Sequence, residues 1–221
     1  IGFMYLYGGM WSGLLGMSMS LIIRIELMNL MNNFNNNSIY YLMITMHAFI
    51  MIFFMTMPII IGSFSNWLIP LMLMSSDLMF PRLNNFSFWL LFPSLMLMLM
   101  NLFIINNINT GWTLYPPLSI QNSISINLII FSLHFNGLSS IFSSMNFISS
   151  ILTLNLNKLF TYNLTLYSWS ILITSILLIL SLPVLTSGIT MILLDHNFNF
   201  MFFNPSGNGN PIIFQHLFWF F

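Results

Sequence analysis

Charge is what this sequence has least of. Of 221 residues, 3% are Asp, Glu, Lys or Arg, whereas a water-soluble domain carries about 25%. The charged residues are Arg24, Glu26, Asp77, Arg82, Lys158 and Asp195, and their formal sum is zero. So few charges cannot cover a water-facing surface, and no basic patch exists to hold a nucleic acid. Cysteine is absent. That excludes disulfides, thiolate metal sites and iron–sulfur clusters, and it leaves histidine to hold any metal. Alanine is nearly absent too, while Met (20), Phe (24), Ile, Leu and Asn abound. Those residues have A/T-rich codons, so the bias concerns the gene and not the physics. A positively charged leader with a small-residue cleavage site is missing. The chain opens at Ile1 and closes at Phe221, both within apolar runs, and is expected to be a piece of a longer protein.

What remains is hydrocarbon. Hydrophobic residues make up 58% of the chain, and the mean hydropathy is +0.92, so lipid is its main solvent. Apolar runs longer than about 18 residues predict spanning helices. Five such runs cover 3–27, 38–74, 81–105, 125–154 and 164–194, and a sixth starts at 211 and is cut at 221. The predicted fold is all-α: a polytopic membrane bundle forming one incomplete domain over 1–221. The second run is long enough to tilt or to project from the membrane. Polar connectors rich in Asn, Gly and Pro separate the runs, among them NNFNNN, the Gly111–Pro116–Pro117 segment and DHNFNFMFFNPSGNGNP. Pro58, Pro93 and Pro183 fall inside spans, where neighbouring helices re-satisfy the freed backbone. Arg82 and Lys158 lie in loops on the same side, which the positive-inside rule makes the cytoplasm-like side.

Within MITMHAFIMIFFMTMPIIIG, His47 is the only His, Asp, Glu, Lys or Arg between Glu26 and Asp77. Hydrocarbon satisfies neither nitrogen of a neutral imidazole. Two readings stand: a bond to a neighbouring helix, or ligation of a metal or haem iron. Arg24 and Glu26 end the first run in the same outer half of the membrane as His47, so Arg24 either snorkels and pairs with Glu26 or shares a site with His47. Asp77 is the one acid on the opposite side, flanked by Asn66, Ser75, Ser76, Asn84 and Asn85. It reads as a turn acid pairing with Arg82, or as a mouth whose amides hold water. Tyr5, Ser87, Ser139, Ser140 and Asn146 sit deeper, as interhelical glue or as a polar path. His134, His196 (in a predicted loop) and His216 have no ligand spacing. A pair of haems stacked between helices would need paired histidines on one span, and no span has them.

The strings MHAFIMIFFMTMPIIIGSFSNWLIPLM, FPRLNNFSFWLL, TGWTLYPPL, IFSLH, LSLPVL, GITMILLD and NPIIFQHLFWFF together resemble subunit I of the haem-copper oxidases, in its mitochondrial cytochrome c oxidase branch. The resemblance runs over essentially the whole chain, with one small deletion near 119–125. It implies five and a part of the twelve helices of that subunit, in a multi-pass protein of the mitochondrial inner membrane from an insect-like source. It implies that His47 is an axial ligand of haem a, that Arg24 meets the haem formyl group, and that Trp112 and Tyr115 lie near the propionates. Glu26 matches a peripheral cation site. Asp77 matches the opening of a proton channel, Asn66 and Asn84 its neighbouring amides, and Tyr5, Ser87, Ser139, Ser140 and Asn146 positions farther along it.

The function implied is oxygen reduction to water with electrons from cytochrome c, coupled to proton pumping. Expected partners are the copper-bearing subunit II, subunit III, cytochrome c and lipid. A quinol oxidase of the same superfamily and a haem-free channel or transporter subunit are the alternatives. The sequence departs from the family where Met74, Ser75 and Ser76 replace Gly-Ala-Pro. It also departs where Ser63 and Ser65 replace glycines, where Met28, Leu30, Met31, Asn36 and Asn37 replace outer-loop Gly, Pro and Asp, and where Asn204 and Asn210 replace acids. A G-H-P-E-V-Y string with the first copper ligand follows F-W-F-F in the family. The resemblance therefore places the ligands of haem a3 and copper beyond Phe221, and the polypeptide alone is not expected to be active.

Overall fold

The computed structural model describes residues 1–28, 37–104, 108, 110–120, 124–154 and 164–221. Lys158 and the outer-loop positions Leu30, Met31 and Asn36 lie outside the described residues. Five helices are long and apolar enough to cross a membrane. They are α1 (Gly2–Met28), α2 (Ile39–Leu73), α3 (Pro81–Met100), α4 (Ile124–Thr153) and α5 (Leu166–Phe198), and a short α6 (Pro211–Phe220) follows. No strand occurs among the described residues. Lipid offers the backbone no partners, so each span must satisfy its own, and helices do so.

The second span is continuous but not uniform. It is α-helical over Asn37–Phe49 and Ser65–Leu73, and widens to π geometry over Ile50–Thr56 and Pro58–Phe64. Pro58 has no N–H and would clash with the carbonyl four residues earlier in a regular helix. The freed carbonyls find donors on other helices: Ser12 Oγ donates to Phe54 O at 2.7 Å, and Asn136 Nδ2 to Phe53 O at 3.2 Å. Thr56 Oγ1 donates to Ile52 O at 2.6 Å.

Helices α1 and α2 run antiparallel along a seam of small residues. A Cβ built on Gly9 would meet Ile59 at 2.5 Å, on Gly13 Met55 at 3.2 Å, and on Gly16 Met51 at 2.5 Å. Small residues let membrane helices approach closely, and dispersion and polar contacts then hold them where lipid provides no hydrophobic drive. Between α3 and α4 the glue is hydroxyl to carbonyl. Ser94 Oγ donates to Ser132 O and Ser132 Oγ to Ser94 O, each at 2.7 Å. One apolar core joins α2, α4, α5 and α6 around Phe49, Ile50, Ile129, Ile189 and Phe214. A second lies toward the Asp77 side, around Ile69, Phe147 and Ile171.

Two boundaries differ from the sequence reading. The third span stops at Met100, where Asn101 Nδ2 donates to Met98 O at 3.2 Å and turns follow. The fifth runs on to Phe198 and ends at Asn199 in the left-handed region (φ 56°), so Asp195 and His196 belong to its last turns and not to a loop. Asn tolerates that conformation better than most residues. Asp195 is buried and its carboxylate accepts from the Phe202 and Phe203 N–H groups at 3.0 and 2.8 Å, folding the next segment back onto the helix.

Candidate functional site

His47 is half-buried on α2, with Nδ1 2.8 Å from Gly16 O on α1. A carbonyl can only accept, so Nδ1 donates, and in the neutral ring Nε2 is the nitrogen with the lone pair. The two readings from sequence are therefore compatible. The bond to the neighbouring helix favours the tautomer in which the other nitrogen is free to accept or to ligate, the arrangement outer partners give metal-bound histidines. Gly16 makes the bond possible because any side chain there would collide with Met51. No group of three His, Asp or Glu able to hold a bare metal ion occurs among the described residues. A single imidazole would suit an iron held mainly by a macrocycle.

Arg24 is exposed on α1, eight residues beyond Gly16, about 12 Å along the axis. Glu26 points inward and is buried. Trp112 and Tyr115 lie in the segment after Gly111 and pack on α6. Trp112 is 5.3 Å from Phe218 and Tyr115 6.2 Å from Phe214, ring centre to ring centre. The Trp219 indole N–H donates to the Tyr115 hydroxyl. His134 Nδ1 is spent on Ile130 O of its own helix at 2.6 Å, and His216 is exposed.

At the other end, Asp77 is exposed in the turn between α2 and α3. It shares a cavity of about 230 Å³ with Asn66 and Asn84. Asn84 Nδ2 donates to Asn66 Oδ1 at 2.8 Å, and Asn66 Nδ2 donates to Gly62 O. The buried Asn84 Oδ1 has no protein partner, so this amide has an acceptor to offer a water. Arg82 is exposed and makes no ion pair with Asp77.

Deeper in, the Tyr5 and Ser87 hydroxyls lie 2.7 Å apart, Ser87 Oγ donates to Asn84 O at 2.7 Å, and Ser139 Oγ donates to Ser87 O at 2.6 Å. Tyr5, Asn136, Ser139, Ser140 and Ser143 line a cavity of about 20 Å³, enough for about one water. Asn146 stands apart from this group. Its Oδ1 accepts from Phe80 N–H at 3.0 Å and its Nδ2 donates to Phe80 O at 3.1 Å, pairing with both backbone groups of the residue before α3.

Sequence reasoning missed Asn136, Ser143 and Gly16. The first two complete a stripe at positions 136, 139, 140 and 143, the i, i+3, i+4, i+7 spacing of one helix face. That spacing was available as a signal. So was the Gly9–Gly13–Gly16 stripe, although nothing in it names His47 as the partner.

These features define a multi-span helical membrane protein with one presented imidazole and, toward the opposite face, a cluster of amides and hydroxyls. Residues 1–221 match the family described as Cytochrome C and Quinol oxidase polypeptide I, and the chain belongs to that family. It is similar to cytochrome c oxidase subunit 1 of Pecten maximus, with 45% identity over 225 residues, covering 100% of this chain and 47% of the relative. The same subunit of Eremothecium gossypii is 44% identical over 226 residues, covering 100% and 42%. That of Mytilus edulis is 45% identical over 225 residues, covering 100% and 41%. The chain thus spans less than half the length of these curated relatives.

Proposed function

We propose that this chain is the N-terminal part of subunit I of a cytochrome c oxidase, an oxidoreductase that reduces oxygen to water and pumps protons across the mitochondrial inner membrane. The observation that carries the reading is the His47 Nδ1–Gly16 carbonyl bond, which leaves Nε2 as an electron-pair donor. His47 holds haem a through Nε2. The haem supplies an iron that takes up and releases one electron at a time. Arg24 would supply a positive charge to that group, and Trp112 and Tyr115, packed on Phe218 and Phe214, would help to enclose it. Haem a3 and copper are held by the part of the subunit that this chain does not span. Other oxidase subunits, above all the copper-bearing subunit II and subunit III, complete the assembly, and cytochrome c delivers the electrons.

Protons enter at Asp77. Its exposed carboxylate raises the local proton supply. Asn66 and Asn84 orient water at the mouth, and Tyr5, Ser87, Ser139 and Ser140 continue the hydrogen-bonding surface inward. Asn146 serves this path by holding the Phe80 turn. Glu26 is the residue of this chain for a peripheral cation. A quinol-fed oxidase and a haem-free channel are not favoured, since the relatives reported above all carry the name cytochrome c oxidase subunit 1. The test is a reduced-minus-oxidised optical spectrum of the full complex with His47→Ala. Loss of the haem a band is expected, because a methyl group cannot replace the imidazole. A normal haem a content would remove the ligand role.

A further inference from the structure

Three serines of α4 and the Tyr5 phenol bring hydroxyls to the one-water cavity beside α4, and one of them, Ser143, has no role in the resemblance. Every hydroxyl proton there is already committed. Ser139 donates to Ser87 O at 2.6 Å, Ser140 to Asn136 O at 3.0 Å and Ser143 to Ser139 O at 3.0 Å. Ser87 spends its own proton on Asn84 O at 2.7 Å, so in the Tyr5–Ser87 pair at 2.7 Å the phenol is the donor. A hydroxyl that has donated still offers lone pairs. The hydroxyls of the cavity therefore present acceptors alone. A water there is held by its two hydrogens, and its oxygen stays open to an arriving proton.

Position then singles out Ser143. Helix α4 runs toward the Asp77 side, since Asn146 reaches Phe80 of that turn. Ser143 lies one turn beyond Ser139, about 6 Å closer to the mouth. Asn146, which the resemblance places on the path, has its amide committed to Phe80 and does not line the cavity. Ser143 is buried and does line it. Resting on the proton-path reading above, we propose that Ser143 is a positioning residue of that path. Its hydroxyl, together with that of Tyr5, holds the water that receives protons from the Asn66–Asn84 mouth, in the place the resemblance gives to Asn146.

The test is single-turnover proton uptake, followed with a pH dye, and pumping by the full oxidase in lipid vesicles, each in light and in heavy water. Ser143→Ala should slow uptake several-fold and raise the ratio of light-water to heavy-water rates, with haem a content unchanged, because a methyl group cannot accept from water. Ser143→Thr returns the hydroxyl and should restore most of the rate. Ser144→Ala removes a buried hydroxyl that donates to Ile141 O on another face of the same helix, and should match wild type. Ser143→Cys keeps the volume with a weaker acceptor, so a smaller slowing reads the proposal even where Ser143→Ala does not assemble. Wild-type uptake in Ser143→Ala beside slowed uptake in Asp77→Asn would overturn this assignment and leave the path standing. Slowing with an unchanged isotope ratio, or slowing that Ser143→Thr does not relieve, would mean a packing role and overturns it too. Full turnover and pumping in Asp77→Asn would remove the path itself and the assignment with it.

Discussion

Gly16 acts on His47 through an atom it lacks. A Cβ there would lie 2.5 Å from Met51 Sδ and 2.9 Å from Met51 Cγ. Methionine can swing aside, so Gly16→Ala is expected to cost about 1 kcal/mol, whereas a branched side chain must push the helices apart and break the imidazole bond. Gly16→Val should therefore lose most of its haem a absorbance per complex, and adding Met51→Ala should recover part of it. Met74 poses the opposite case: it ends α2 at φ 52°, a left-handed position where a side chain is strained and glycine is not. Met74→Gly should stabilise the turn by about 1 kcal/mol, read as slower thermal inactivation of the complex. Asp77→Asn should slow proton uptake and lower turnover while haem content stays constant, because Asp77 and His47 lie toward opposite faces. Since Asp77 and Arg82 form no ion pair, the effects of Asp77→Asn and Arg82→Gln on assembly should be additive, which a double-mutant cycle checks.

At the level of elements, the second span depends on its neighbours. Ser12 and Asn136 cap carbonyls that Pro58 leaves without a regular partner. In lipid such interhelical bonds contribute about 0.6 to 2 kcal/mol each. Ser12→Ala should cost that much in wild type and less in a Pro58→Ala background, where the backbone can supply its own donor. Resistance of the purified complex to denaturing detergent, compared across the four variants, measures the coupling. The five spans themselves were legible in the sequence, because a long apolar run in lipid has essentially one solution. The widening of α2 was not, since it depends on donors from residues 12 and 136. Nor was the extension of α5 to Phe198. Its last turns read as polar loop, and the backbone bonds that bury Asp195 come from residues seven and eight positions later.

For the whole molecule, the surface decides where folding can occur. Leu14, Leu166 and Leu180 are among many large apolar side chains that stay exposed in the bundle. Transfer to detergent-free buffer should give aggregate and no monomer, as analytical ultracentrifugation would show. The site was half legible. His47 and Asp77 stood out because an ionisable group in or beside an apolar run needs a partner. Their partners did not stand out, because Gly16 lies 31 residues from His47 and the Asn66–Asn84 pair joins two helices across a turn.

Asn146 links α4 to that same turn. Its amide pairs with both the N–H and the C=O of Phe80, as a neighbouring strand would. The stretch between α2 and α3 is thereby riveted to the most buried of the five spans. Fluctuations of the mouth around Asp77 then follow rigid-body tilting of α4 and not local fraying, and the Phe80 amide hydrogen, although at a helix start near the membrane edge, should exchange with deuterium on the timescale of the bundle's opening.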